Sequence, residues 1–366
     1  MFIHERKTWP NFTWNQKRVS ALLVDTRYLQ GRLLGRMEAL GFKWREEATL
    51  QSLTQDVLKT CEIEGVALDA EQVRSSIARR LGIDMGFFPH VARNVEGIVE
   101  VMMDATYHYD IPLTAERLFD WQAALFPTGR SGMHHITVGG WRGESSGPMQ
   151  VVSGPVGREK IHFEAPVYER LEAEMDRFVN WFNTNIEMDL VLKSSLAHFW
   201  FITIHPFDDG NGRIARAISD MLLAKSEKNT QRFYSMSSQI QRERSTYYKI
   251  LEKCQKGTLD ITLWVEWFLG CLKRAIEASD ETLEAILAKA RFWENHAGEP
   301  FNDRQHSMIN RLLNGFEGKL TSSKWAKIKK CSQDTALRDI NNLVEREILT
   351  KESAGGRSTS YILLNR

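Results

Sequence analysis

Residues 189–216 read DLVLKSSLAHFWFITIHPFDDGNGRIAR. The run from Asp189 to Ile204 is apolar enough and long enough for about four helical turns. It ends at His205-Pro206, where proline cannot continue the helix. Asp208 and Asp209 follow, then Gly210-Asn211-Gly212, and RIARAISDMLLAK resumes apolar helical spacing. That order dictates two helices joined by a tight loop whose last backbone N–H groups open a helix, which makes an anion site. Glycines at 210 and 212 allow left-handed angles and close approach of a phosphate. Arg213 and Arg216, three apart, share one side of the second helix. Asp209, a carboxylate beside a phosphate cradle, stands where Mg²⁺ would join protein and nucleotide oxygens. His205 is placed as a general base. The run contains no Gly-Lys-Ser/Thr, so it is not a Walker A loop.

At 366 residues the chain has room for two or three domains, and its formal charge of +1 gives no global pull toward nucleic acid or membranes. Cys61, Cys254, Cys271 and Cys331 form no CxxC pair, which points to reduced thiols. The opening MFIHERKTWPNFTW is polar and aromatic and lacks a signal-peptide core. The most apolar stretch, AHFWFITIHPF, is too short to span a bilayer. A cytoplasmic protein without membrane contact is expected.

Helical spacing covers 15–40, then LQSLTQDVLKTCEIEG, which stops at Gly65, then AEQVRSSIARRLG behind an Asp69 cap. Amphipathic helix continues to about residue 125, and helices run again from Pro166 to about 296. Between them only MQVVSGPVGREKIHFEAP reads as strand, a hairpin turning at Gly154-Pro155-Val156-Gly157. The expected fold is mainly α with this one hairpin, followed by a small α+β domain. The segments are 1–95, 96–297 and 298–366.

The run HPFDDGNGRIAR resembles the signature of the Fic family, HPFx(D/E)GNGRxxR, at every fixed position, and the resemblance extends over roughly residues 100–275. Members are helical and mostly transfer AMP from ATP to a hydroxyl of a target protein. The resemblance implies His205 as the base that deprotonates that hydroxyl and Asp209 as the Mg²⁺ ligand. It places Gly210, Asn211 and Gly212 in the anion nest and Arg213 and Arg216 on the outer phosphates. The hairpin, through Val151, Val152, Ser153 and Gly154, corresponds to the flap that pins the target segment. RSTYYKILEKCQ is similar to the segment closing over the adenine, with Tyr247 and Gln255 about two turns apart. The family's inhibitory pattern (S/T)xxxE(G/N) is matched by TCEIEG through Thr60, Glu64 and Gly65. A Glu64 carboxylate paired bidentately with Arg216 would occupy the γ-phosphate position. Glu62 faces elsewhere on that helix.

Three readings stand side by side. The first is an autoinhibited, Mg²⁺-dependent protein adenylyltransferase acting on Tyr, Thr or Ser hydroxyls, its own included. The second is a DNA-binding regulator whose core senses nucleotide. The third is a hydrolase in which Glu64 positions water to remove AMP. Residues 301–366 carry 12 Lys plus Arg against 7 Asp plus Glu, a local net charge of +5. Their order of two helices, ILTKE, a Gly-Gly turn and SYILL resembles a winged helix-turn-helix. Ser332–Arg346 would be the recognition helix and Ala354–Ser360 the wing tip. Ser332, Gln333 and Thr335 would sit at the N-terminal end of the recognition helix, and Arg338, Lys351 and Arg357 would contact phosphates. Such domains also serve as protein-binding and homodimer modules. A DNA role would show as duplex binding by 301–366 that weakens steeply with salt, because phosphate contacts release counterions. No gel retardation at low salt with the fragment folded leaves the protein-binding role.

Overall fold

A helix that is apolar on every side has one stable place, the centre. In the computed structural model Leu190–Ile204 takes it, with every side chain from Val191 to Ile204 buried. The structure describes residues 1–38, 42–84, 90–144, 148–154, 158, 160–184, 187–313, 316, 318–352 and 359–364. Pro155, Val156 and Gly157 of the expected flap turn lie outside this set. So do Ala354–Arg357 and residue 358 of the expected wing tip.

Two units divide the chain, Met1–Asp280 and Glu281–Arg366. In the first, α1 (Gln16–Glu38), α2 (Phe42–Ile63) and α3 (Ala70–Leu81) precede α4 (Arg93–Tyr107) and α5 (Ala115–Leu125). Then come β1 (Arg130–Ser131), β2 (His134–His135), β3 (Gln150–Ser153) and β4 (Lys160–Glu164). Helices α6 (Tyr168–Asn183), α7 (Leu190–Ile204), α8 (Asn211–Glu227), α9 (Met236–Arg242), α10 (Arg244–Gln255) and α11 (Thr262–Asn295) complete it, the last crossing the division. Helix ends follow the sequence signals. Asp69 accepts from the Gln72 N–H at the start of α3, and left-handed Gly82 ends that helix. Asp189 accepts from the Val191 N–H ahead of α7. Gly65 takes φ 79° two residues past α2.

One expectation fails here. The hairpin β1–β2, two residues per strand, was not legible as strand, because Arg130, Ser131, His134 and His135 show neither β-branching nor alternation. The flap itself pairs as expected, Gln150 with Glu164 and Ser153 with Lys160, with an irregularity between Val151 and Val152.

Beyond the end of α11 the second unit has, among the described residues, three helices where sequence periodicity indicated two. They are α12 (Asp303–Leu313), α13 (Ser322–Lys329) and α14 (Gln333–Glu345), followed by β5 (Leu349–Lys351) paired with β6 (Tyr361–Leu363). Its core gathers Met308, Trp325, Ile340, Leu343 and Tyr361, with Phe292 and Trp293 of late α11 packed against it. That packing places the division inside α11, ahead of the composition change near Gly298. Ser332 accepts from the Thr335 N–H, so its hydroxyl is engaged as the cap of α14.

Around α7 the close helix pairs are α7 with α8 and α4 with both α5 and α8. The α4–α5 approach rests on Gly97, where a Cβ would collide with the Ala124 carbonyl. Backbone cannot swing aside as a flexible side chain can. Gly97→Ala is expected to lower stability by roughly 1–3 kcal/mol, read as a lower urea midpoint with an unchanged m-value.

Candidate active site

Helix α7 ends at His205, a residue with left-handed backbone angles (φ 54°, ψ 59°) whose N–H bonds to the Phe201 carbonyl at 3.0 Å. A non-glycine residue there costs about 1–3 kcal/mol and persists when its surroundings over-determine it. Arg142, 1% exposed, supplies that constraint. Its Nε donates to the His205 carbonyl at 3.0 Å and its Nη2 to the Pro166 carbonyl at 2.5 Å. Its backbone N–H reaches the Pro206 carbonyl at 2.9 Å. From the other end Asn211 clasps the loop, donating through Nδ2 to the Phe207 carbonyl at 2.7 Å and accepting the Phe207 N–H at 2.9 Å. The Asn211 side chain therefore braces the loop, and its backbone N–H is the part left for an anion.

The His205 Nδ1 lies 3.2 Å from the Ile202 carbonyl. A carbonyl only accepts, so Nδ1 carries the proton and Nε2 keeps the lone pair. Burial pulls the imidazole below its usual range, the Ile202 carbonyl opposes this, and the Arg142 charge adds to the lowering.

His205 opens onto a cleft of about 690 Å³, within the size range of small-molecule sites. Glu64, Val151, Val152, Ser153, Asp209, Asn211, Gly212, Tyr247 and Gln255 share its wall. Gly210, Arg213, Arg216, Thr60, Gly65 and Gly154 are not part of that wall. Gly210 has φ 93° and caps α8, so the left-handed glycine is real there. Gly212 lies inside the helix and serves differently, since a Cβ on it would collide with the Glu64 carboxylate.

The two arginines do not act as a pair. Arg213 stacks 4.9 Å over the Phe126 ring and lies 3.6 Å from the Asp209 carboxylate. Arg216, 2% exposed, turns to α2. Its Nε donates to the Thr60 hydroxyl at 2.6 Å, and its Nη2 to the Thr60 carbonyl at 3.0 Å and to Glu64 Oε1 at 2.7 Å. The expected bidentate Glu64–Arg216 fork is thus a single-oxygen contact through Nη2, which is shared with the Thr60 carbonyl while Nε goes to the Thr60 hydroxyl. Glu62 bonds Lys59 on a different side of α2. Arg213 Nε and Arg216 Nη1 remain buried without hydrogen-bond partners among the described residues. With the free N–H groups that open α8, these donors fit an incoming phosphoryl group.

Tyr247 is a wall residue locked from behind. Ser219 donates to the Ala215 carbonyl, so its oxygen receives the His198 Nδ1 proton at 2.9 Å, and Tyr247 donates to His198 Nε2 at 3.1 Å. Burial, with the Arg216 charge, lowers the His198 pKa to about 3 and keeps this ring neutral. Gln255 bonds Thr203 of α7 at 3.3 Å. On the flap, Ser153 pairs with His162 at 2.6 Å and His162 with Glu252 of α10 at 2.8 Å. The outer edge of β3 pairs with no strand among the described residues.

The β1–β2 segment contributes contacts that spacing did not reveal. The Ser131 hydroxyl donates to Asp209, and the Thr137 N–H to Asp208 at 2.8 Å. No group of three or more His, Cys, Asp or Glu is set to hold a metal among the described residues. Mg²⁺ needs only one or two carboxylates when phosphates supply the rest, and Asp209 at the cleft wall fits that requirement. Arg142, alone between Trp141 and Gly143, offered no pattern from which its role could be read.

Residues 112–223 match the Fic/DOC family, and residues 2–83 match DUF4172, a domain of unknown function. Among curated relatives, the protein adenylyltransferase Fic of Drosophila mojavensis is 23% identical over 63% of this chain and 42% of its own length. That of Drosophila sechellia is 31% identical over the same shares. The chain therefore spans less than half the length of these relatives. A crystal structure of a Fic family protein from Desulfovibrio desulfuricans has the same fold, with a TM-score of 0.56, 20% identity and 98% of both chains covered. Among the described residues no helix is long and apolar enough to cross a membrane.

The His205 imidazole is expected to titrate below the usual value near 6.5, so it stays neutral until pH falls under that range. Histidine-labelled NMR over pH 4–9, assigned with His205→Gln, measures it. A midpoint at or above 6.5 removes the burial argument.

Proposed function

From the premise that residues 112–223 form a Fic domain, we propose that the chain is a protein adenylyltransferase restrained by Glu64. The observation that carries the proposal is a carboxylate already seated at an anion site. Glu64 reaches the start of α8 over Gly212 and bonds Arg216. A protein that keeps its own anion at a phosphate cradle has a means of displacing or misplacing a nucleotide's last phosphate.

In the forward direction ATP lies in the cleft with its adenine toward Tyr247 and Gln255. The target segment pairs with β3 through Val151–Ser153 and brings a Tyr, Thr or Ser hydroxyl to His205. Nε2 takes the hydroxyl proton as the oxygen attacks the α-phosphorus. The O–P bond forms, the bond to the bridging oxygen breaks, and pyrophosphate leaves. Asp209 would hold Mg²⁺, which neutralises phosphate charge. The α8 N–H groups, Arg213 and Arg216 hold the phosphates in line, so positioning and charge do most of the work.

A charge-assisted contact such as Glu64–Arg216 is worth roughly 1.5–3 kcal/mol, or about one to two orders of magnitude in competent population. Glu64→Gly is therefore expected to raise AMP transfer about ten- to hundredfold, self-modification included, and adding His205→Ala should silence it. Transfer of labelled AMP measures both. Unchanged transfer in Glu64→Gly overturns the brake.

A second reading has one observation in its favour. Glu64 uses Oε1 alone in its contact with Arg216, and its carboxylate lines the cleft. In this reading its other oxygen would hold the attacking water, and Glu64→Gly would lose AMP removal.

A further inference from the structure

The aromatic stretch TWPNFTW, residues 8–14, plays no part in the cleft, yet it builds a second cavity. Trp9, Pro10, Phe12 and Trp14 face Trp181 and Trp200 of α6 and α7 around about 540 Å³. Trp9 is fixed in place, donating through Nε1 to Glu174 Oε2 at 2.9 Å and accepting at its carbonyl from Arg177 at 3.3 Å. Trp9 and Arg177 also wall a neighbouring cavity with Arg6, Lys7, Glu169 and Arg170. The two cavities therefore adjoin across Trp9 and Arg177, one aromatic and one charged.

The charged half has a surplus. Four cations face two glutamates there, and Glu174 is already engaged by Trp9 and Arg170. Arg6, Lys7 and Arg177 make no ion pair with a carboxylate among the described residues. An occupant must bring carboxylates for these and an aromatic ring for the tryptophans, whose faces and edges favour offset or edge-on partners. About 540 Å³ exceeds a single side chain and accommodates two or three residues of a peptide.

The position gives the occupant a context. Helix α6 starts at Tyr168, four residues after β4 ends at Glu164. Arg170, Glu174, Arg177 and Trp181 form one stripe along it, since spacings of three and four share a face. At 1.5 Å per residue, Trp181 lies roughly 16 Å along α6 from Arg170. The same N-terminal segment supports the flap: His4 Nε2 donates to the Glu164 carbonyl at 2.8 Å, and Phe2 packs edge-on against Phe163 at 5.2 Å. Val167 and Tyr168, 57% and 45% exposed, bridge the interval.

We propose that the cavity formed by Trp9, Trp14, Trp181 and Trp200, with its rim of Arg6, Lys7 and Arg177, is a docking site for an acidic peptide segment carrying an aromatic side chain. Its assignment to the protein substrate rests on the proposed adenylyltransfer, whereas the binding itself does not. A target held here and threaded along α6 presents its hydroxyl segment to the flap, so selection of the target is separated from the chemistry at His205. Tethering of this kind raises the local concentration of the hydroxyl without any new contact at the cleft.

The test uses the full chain without ATP and a fluorescein-labelled Gly-Asp-Glu-Phe-Pro-Glu-Asp amide, followed by anisotropy. Saturable binding is expected, weakening steeply with salt because the rim acts through charge. Exposed Arg177→Glu and half-buried Trp181→Ala should each weaken it at least tenfold, with circular dichroism confirming that both variants fold. The same peptide with Lys in place of Asp and Glu should not bind. No saturable binding, or binding indifferent to both substitutions, overturns the proposal. So does co-sedimentation with phosphatidylglycerol vesicles in the absence of peptide binding, which would make this face a membrane contact. Because no nucleotide is present, failure here leaves the Glu64→Gly transfer result standing, and failure there leaves the docking site standing.

Discussion

The loop between α7 and α8 is closed by one side-chain amide. Asn211 satisfies both backbone groups of Phe207, and a buried peptide group left without a partner costs about 1–3 kcal/mol. Helix α7 is buried all round and cannot shift to accommodate a looser loop. The clasp thus determines where α8 begins, and with it the direction of the N–H groups that make the anion site. Arg142 determines the other end by holding the His205 and Pro206 carbonyls. A strained histidine, a helix start and a cleft wall all descend from these two side chains.

Arg216 shows how such a scaffold becomes adjustable. Its guanidinium is almost fully buried, and burial alone disfavours its charge, with Glu64 as the largest opposing influence. Removing a charge from water is costly, so Thr60 and Glu64 together compensate the arginine. Glu64 is 30% exposed, and its share of the contact is screened by solvent. A ligand present at one hundred times its dissociation constant contributes about 2.7 kcal/mol, comparable to the contact it would displace. On this scale the proposed restraint by Glu64 would be neither permanent nor negligible. Asp56 and Thr60 on α2 and Glu64 just past its end, four residues apart in sequence, all bond outward. Asp56 accepts from Ser235 and from the Ser237 N–H at the start of α9, so this stripe is anchored along its length.

Much of this was legible from residue order. An apolar helix halted by His-Pro, a glycine turn and a renewed helix are local events, governed by proline geometry, by glycine's freedom and by periodicity. The (S/T)xxxE(G/N) match put Thr60 and Glu64 on one helix face, which helical geometry alone guarantees. The β1–β2 hairpin was not legible, since its residues have no strand preference and its place depends on distant contacts such as Ser131 with Asp209 and, just beyond it, Thr137 with Asp208. The third helix of the C-terminal unit was missed because short amphipathic runs blur into their loops.

By itself the sequence determined the elements and the chemistry available at the loop, because backbone preference and side-chain type act within a few residues. Tertiary structure decided the partners. It turned Arg213 toward Phe126 and Arg216 toward Thr60, although the two sit three apart on one helix, because different neighbours pack against each. It assigned Gly212 to make room for a carboxylate 148 positions earlier in the chain, and it recruited Arg142 to a loop that no spacing connects it with. Contacts between distant segments depend on which faces are buried together, and that is settled only when the whole core closes.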